Sequence, residues 1–411
     1  MKKFFLFCFI FIYFFLTYSP YKQSAEGIVL FGTLCMFLFA LFAYFLGIIK
    51  SKTTPIEHKY KFESAGIFLI YVLIFLLVIS GYRSPFGFDS VLALLAITVT
   101  HVFTYAIIVN HYDWNIEMGI NYLAIFTLIF GMVAAIVGNI VYWYGNIELG
   151  FISIGKSDYY QRAYSWFLNA NVFANMLSFS VLSSLFLFLK SDKRKQKVIL
   201  SVAFISLFLT LLLTGSKAGL LTLIVGIVFL FLSINGFKLS KLLSSRRIYI
   251  ILFLGIFVFI ILSNILDMEY YIDAILRIDN SEQRRFDLWI VGLQFISSFN
   301  FTETLLGKGH GYYWFVTGNS THNTYIELLL NNGVLFLIYI FMLFVYLSYK
   351  YRHIFGKRSI NNAFIQTILI MLLFCSIFTT VLFTIRYEYY LLLYLLTLIA
   401  FANIEKKKLS N

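Results

Sequence analysis

Charge is what this sequence has least of. Only 12% of its 411 residues are Asp, Glu, Lys or Arg, roughly half the share found in ordinary soluble domains. Proline is almost as rare. Pro20, Pro55 and Pro85 are the only three, and each falls between apolar stretches, so no long helix has to absorb a kink. Cysteine is equally scarce: Cys8, Cys35 and Cys375 all lie inside apolar runs, which argues against a disulfide framework and a thiolate metal cluster. No nucleophilic triad and no credible metal site can be read. The carboxylates Asp287, Glu303 and Glu327 lack the pairing that a glycosidase needs.

What remains is apolar. Hydrophobic residues make up 61% of the chain and its mean hydropathy is +0.86. Apolar runs recur from end to end, each long enough to cross roughly 30 Å of hydrocarbon. The expected class is an all-α, polytopic integral membrane protein with about twelve transmembrane helices. The spans are placed at 4–18, 27–48, 65–82, 90–110, 118–143, 167–189, 198–213, 219–235, 248–266, 324–348, 363–385 and 389–404. Lys2 and Lys3 ahead of Phe4 to Tyr18 open like a signal peptide, but no small-residue cleavage site follows, so an uncleaved first helix is expected. No internal repeat is visible.

A net charge of +13 would point to nucleic acid in a soluble protein. Here its distribution matters more, and no nucleic-acid partner is expected. With the N-terminus in the cytoplasm, 22 of the 32 Lys and Arg fall in the termini or in the loops 49–64, 111–117, 190–197, 236–247 and 349–362. That is the excess the positive-inside rule describes. Both termini are therefore expected on the cytoplasmic side of the membrane. The chain reads as one membrane domain, 1–411, with outer loops at 144–166 and 267–323, the second being the larger.

Ten cations fall on the outer side: Lys22, Arg83, Lys156, Arg162, Lys217, Arg277, Arg284, Arg285, Lys308 and Arg386. Any one of them could be an interface anchor that snorkels among membrane lipids. Together, Arg162, Lys217, Arg284 and Arg285 suit a lipid-linked anion such as a diphosphate, because guanidinium groups bind phosphate oxygens in a fixed fork. SEQRRFDLWIVGLQFISSF is amphipathic and is expected to lie along the interface as a helix capped by Asn280 or Ser281.

The densest polar stretch is GKGHGYYWFVTGNSTHNTY, Gly307 to Tyr325. Thr324 and Glu327 have capping-box spacing, which would put His322 and Asn323 just before a helix N-terminus. The positive end of the helix dipole disfavours an imidazolium, which suits His322 to accept a proton. The alternative is a histidine that only helps to cap. GKGHG lacks the strand and spacing of a nucleotide fingerprint; its glycines would let the loop fold closely over the surface, and His310 is a weaker second histidine. Tyr312, Tyr313 and Trp314 offer flat faces for sugars or headgroups, or form an ordinary aromatic belt.

With these residues assembled, the chain resembles the O-antigen ligase and O-antigen polymerase superfamily of bacterial membrane glycosyltransferases. The resemblance runs from about Arg162 to the tenth span. QRAYSWFLNANVFANML is similar to the family's arginine-plus-asparagine segment entering a central span. LLLTGSKAGLL is similar to its T-x-S-R turn, with Lys217 in place of the usual arginine, which keeps a cation but loses the fork. RRFDLWIVGLQFI followed by LLGKGHGYYW is similar to its R-x-x-x-W…G-x-G segment, and STHNTYIELLLNNG to its histidine-asparagine segment. The resemblance implies a metal-independent glycosyltransferase without cofactors, whose donor is a glycan on undecaprenyl diphosphate at the periplasmic face. His322 would be the catalytic base. Arg162 and Arg285, with Arg284 and Lys217, would bind the diphosphate, and Asn323, Tyr312, Tyr313, Trp314 and His310 the sugar or acceptor. A polymerase extends another lipid-linked glycan, whereas a ligase transfers to lipid A core; the first is the expectation, and it leaves room for a chain-length regulator as partner. A transporter or flippase is the other class, and would show ionisable residues within spans or broken helices near the midplane.

Overall fold

The computed structural model describes residues 63–111, 115–145, 147–149, 152–154, 162–163, 165–167, 170–236, 280–384 and 386–401. The expected spans at 4–18, 27–48 and 248–266 lie outside the described residues, as do Lys22, Lys156 and Arg277. Twelve helices are described: α1 (Ser64–Arg83), α2 (Asp89–His111), α3 (Ile116–Tyr144), α4 (Ala170–Lys190), α5 (Arg194–Leu213), α6 (Lys217–Ile234), α7 (Asn280–Ser297), α8 (Phe301–Leu306), α9 (Tyr312–Thr317), α10 (Thr324–Phe355), α11 (Ile360–Phe378) and α12 (Tyr387–Ala400). The only strands among the described residues are β1 (Ile147–Leu149) and β2 (Ile152–Ile154), antiparallel with Ile147 opposite Ile154.

Seven of the described helices are long and apolar enough to cross a membrane: α1, α3, α4, α5, α6, α10 and α11. α12 and the Asp89–Phe103 part of α2 are apolar over shorter lengths. The chain is a helical, multi-pass membrane protein. In hydrocarbon every backbone polar group needs an internal partner, and the helix is the structure that supplies one within a single segment.

The sequence reads as one membrane domain; the packing groups the helices into two compact units. The first comprises the described residues of Met1–Phe130, Leu288–Lys350 and Ser376–Asn411, the second those of Gly131–Asp287 and Tyr351–Cys375.

In the first unit α12 packs against α1 and α2. Its sequence, YEYYLLLYLLTLIA, is buried on every side, so its tyrosines need partners for their hydroxyls. Tyr387 pairs with Thr127 and Tyr389 with Thr98, both at 2.6 Å, and Tyr394 donates to the Gly119 carbonyl at 2.8 Å. At one end of this unit the Lys350 ammonium meets Glu63 at 2.8 Å, and the Glu63 amide donates to the Ala400 carbonyl. That end therefore gathers the start of α1, the late part of α10 and the close of α12.

The second unit is centred on α4, which packs against α5 and α6. Small residues let the backbones approach closely, as is common between membrane helices: a Cβ on Gly219 of α6 would lie 2.5 Å from the Ala174 Cβ of α4. The buried serines of α4 bond back along their own helix, Ser178 to Ala174, Ser180 to Met176 and Ser183 to Phe179. Ser178 also reaches the Gly219 carbonyl and Ser184 that of Leu200, each at 2.8 Å.

Candidate active site

The stretch between α8 and α10 belongs to the first unit and is built around a broken helix. α10 departs from helical geometry at Gly333 (φ 75°, ψ −177°), a region open essentially to glycine alone. Near the break the Leu330 and Asn331 carbonyls take outside donors, the amides of Lys308 and Gly309 at 2.9 and 2.8 Å. The fit is close enough to require glycine on both sides. A Cβ on Gly333 would come within 2.4 Å of the Leu305 carbonyl oxygen, and one on Gly307 within 2.4 Å of the Asn331 backbone.

The same run is stitched to the end of α1. Arg83 donates from Nε to the Gly307 carbonyl at 2.8 Å, Ser84 from its hydroxyl to the His310 carbonyl at 2.7 Å, and the His310 amide to Ser80 O at 3.2 Å. The GKGHG run is thus a wedge held between α1 and α10. Burial pushes the half-buried His310 imidazole down from its ordinary 6.5 to about 4. Lys308 is committed locally: it pairs with Glu303 at 3.0 Å and lies over the Phe299 and Tyr312 rings, 5.3 Å from each centroid. The Asn300 amide and Lys308 hold the Glu303 carboxylate below its usual range.

The three loop aromatics face different environments. Tyr313 is fully buried among Ile326, Leu330, Trp289 and Phe295, and its hydroxyl donates to the Leu288 carbonyl at 3.0 Å. Its ring forms the centre of the loop and presents no face to a sugar. Tyr312 is half-buried against Phe295 and Phe299. Trp314 is 55% exposed and lies 5.5 Å from Phe86.

At the entrance of α10 the cap differs from the expected Thr324–Glu327 box. Asn323 is the cap, its Oδ1 accepting from the amides of Tyr325 and Ile326 at 3.0 and 3.1 Å. Asparagine outranks threonine in that role. The Thr324 hydroxyl is used elsewhere, donating to the Thr379 carbonyl and accepting from the Val381 amide. One oxygen of Glu327, Oε2, accepts from the Thr321 amide, the Thr321 hydroxyl and the Ser320 hydroxyl at 2.9 to 3.1 Å. The outcome is an exposed His322 with φ 54°, left-handed backbone that costs a non-glycine residue about 1–2 kcal/mol. Strain of this kind collects where a side chain has to be aimed.

α7 supports this entrance from Leu288 onward. Trp289 donates from its indole to the Thr321 carbonyl at 3.0 Å, and Gly292 faces Ile326. Phe286, Ile290 and Leu293 are exposed, so α7 carries apolar residues on its outward side as well as toward Tyr313. Arg285 is half-buried on this helix. The side chains of Asn280, Ser281 and Arg284 fall outside the described residues.

In the second unit Arg162 and Lys217 converge on one turn. Arg162 donates from Nε to the Thr214 carbonyl at 2.5 Å and from Nη2 to the Asn171 side chain at 3.1 Å. Gly215 follows with φ 59°, and Ser216 caps α6 by accepting from the Gly219 amide at 3.3 Å. Lys217 is the first helical residue, half-buried.

Sequence reasoning missed Ser320 and the carboxylate role of Glu327, whose only signal was a run of hydroxyls a helical turn from an acid. Among the described residues no three His, Cys, Asp or Glu come together as metal ligands. The chain matches no protein-family model and no curated protein sequence.

Proposed function

We propose that this protein is a membrane glycosyltransferase of the O-antigen polymerase kind, joining undecaprenyl-diphosphate-linked repeat units at the periplasmic face of the inner membrane. The observation that carries the reading is His322: exposed, in left-handed backbone, at a helix entrance whose cap and carboxylate are otherwise fully engaged. In the proposed reaction an acceptor hydroxyl oxygen bonds to the donor's anomeric carbon as the bond from that carbon to the diphosphate breaks. His322 takes the hydroxyl proton, and undecaprenyl diphosphate leaves with the bonding electron pair. Arg162 and Arg285, with Arg284 and Lys217, are assigned to the diphosphate and its growing charge. The exposed Trp314 and the half-buried Tyr312 are assigned to the acceptor; Asn323, buried as the α10 cap, is reassigned with His310 and Tyr313 to holding the loop.

Twelve spans with both termini in the cytoplasm remain the proposed topology. The grouping of helix ends supports it: the end of α1 lies with the start of α10, and the start of α1 with Lys350 and Ala400, as alternating spans require. The basic loops then assign the Lys350 end to the cytoplasm. The break at Gly333 is a broken helix, a feature a transporter would share; the transferase reading is preferred for the exposed His322 at the helix entrance.

The test is the gel profile of surface glycolipid from a deletion strain carrying wild-type or His322→Ala protein. Core bearing a single repeat, with the long ladder gone in both deletion and variant, is expected. Bare core with polymer accumulating on the carrier would mean a ligase. A full ladder from well-expressed His322→Ala would remove the histidine from catalysis.

A further inference from the structure

We infer that the Arg83 end of α1 is a seat for an anionic bilayer lipid, with the headgroup phosphate on Arg83 and the acyl chains beside Phe86 and Phe315. The helix sets the depth. α1 has 20 residues, about 30 Å at 1.5 Å per residue, which matches the thickness of the hydrocarbon. Its last residue, Arg83, therefore stands at a membrane boundary. Phe68, Tyr71, Phe75, Val78 and Tyr82 are exposed at alternating steps of three and four, one apolar stripe along a membrane-length helix. The next exposed aromatic along the chain is Phe86, three residues past the helix end.

Phe86 is held in a tight turn. The Gly87 amide donates to the Ser84 carbonyl at 3.0 Å and the Phe86 amide to the Ser84 hydroxyl at 3.2 Å, with Pro85 at the position whose φ proline presets. The Phe86 ring lies 5.5 Å from those of Trp314 and Phe315, edge-on to the second. It also closes on Gly311, where a Cβ would meet the ring at 3.0 Å. All three aromatic rings are exposed. Aromatics gathered at a membrane boundary sit at the level of the headgroups.

Arg83 adds the charge. Its Nε donates to the Gly307 carbonyl at 2.8 Å, and among the described residues that is the guanidinium's one hydrogen bond. The clamp fixes the plane of the fork and leaves both Nη groups for a ligand. Glu303, the acid of the adjoining loop, is engaged at both oxygens, Oε1 by Lys308 at 3.0 Å and Oε2 by the Asn300 amide at 3.0 Å. A phosphate takes the guanidinium fork, and one carried on a lipid also covers the aromatics, which a soluble anion would leave in water. Lipid binding here does not depend on the glycosyl transfer proposed above, and Trp314 at headgroup depth is compatible with an acceptor carried on lipid.

The probe is dioleoyl phosphatidylglycerol added to the full chain in neutral detergent, with phosphatidylcholine for comparison and retained lipid read by native mass spectrometry. Phosphatidylglycerol should be retained where phosphatidylcholine is lost, and Arg83→Gln should weaken the tightest binding at least tenfold. Arg83→Lys, which keeps the charge without the fork, should fall between the two. Binding in Arg83→Gln within twofold of wild type overturns the proposal. Should Arg83→Gln fail to fold for want of the Gly307 clamp, Phe315→Asn decides, because it leaves that clamp in place: a loss of at least threefold is expected, and unchanged binding overturns the proposal equally. Retention of a polyprenyl diphosphate but not of phosphatidylglycerol would give the seat to a lipid-linked substrate and overturn it too. In bilayers with brominated acyl chains, Trp314 emission, taken as wild type minus Trp314→Phe, should be quenched. Unquenched emission would mean that a second copy or another part of this chain covers the aromatics, and lipid does not.

Discussion

Two helix entrances, one in each unit, are built to the same local plan. At α6 a left-handed Gly215 precedes the cap Ser216; at α10 a left-handed His322 precedes the cap Asn323. In each case the cap oxygen receives the amide three residues on. The difference is the residue placed in the left-handed position. Glycine occupies it without a side-chain penalty, whereas histidine pays about 1–2 kcal/mol. The proposed role of His322 would account for a non-glycine residue in that position, whereas Gly215 needs no such account.

The largest expected effect breaks the comparison at its functional end. His322→Ala should abolish glycan transfer, measured as loss of the surface ladder, while membrane abundance is unchanged. Next comes the wedge that holds that entrance: Gly333→Ala meets backbone within 2.4 Å at a glycine-only φ/ψ. It should destabilise the protein by on the order of 3 kcal/mol, read as a lower melting temperature in detergent. Gly318→Ala, at φ 67° with nothing within 4 Å, is its control and should cost only about 1 kcal/mol.

His310 predicts a pH effect confined to the first unit. Its folded value of about 4 lies below the ordinary 6.5, so the unfolded chain binds the extra proton between those values. Its contribution is complete above about pH 6.5 and is lost as pH falls toward 4, by at most about 3 kcal/mol and less because the ring is half-buried. Thermal melts at pH 7 and pH 4.5 should differ less in His310→Gln than in wild type; an equal difference would exclude His310 as the source.

The smallest effects sharpen the comparison itself. His322→Gly should raise stability by about 1 kcal/mol although transfer is lost, and Gly215→Ala should lower it by about the same amount. Opposite shifts in melting temperature would establish that the two positions differ by side-chain purpose and not by backbone need. Ser216→Ala should cost about 1 kcal/mol as a lost cap.

Legibility differed between fold and site. Helix positions followed from apolar length, because hydrocarbon thickness sets it directly; α1, α3 and α6 lie within two residues of the stretches read from sequence. The break at Gly333 was not legible, since LLLNNGVLF reads as a continuous apolar run and the wedge that opens it lies about 25 residues earlier. Tyr313 and Trp314 are neighbours of similar type, yet one is core and the other exposed. Composition does not distinguish them; only the phase of α9 against α7 does. Asn323 rather than Thr324 became the cap because Thr379 and Val381, far along the chain, engaged the threonine hydroxyl.

By itself, the sequence determined that this chain is a multi-pass helical membrane protein and that its polar chemistry concentrates around Gly307–Tyr325, because hydrophobic length and charge scarcity are local quantities. Tertiary structure decided that Gly333 splits α10, which aromatic remained exposed, and that Arg83 holds the Gly307 carbonyl. Those outcomes depend on contacts between residues tens to hundreds of positions apart, where the partner and not the residue sets the energy.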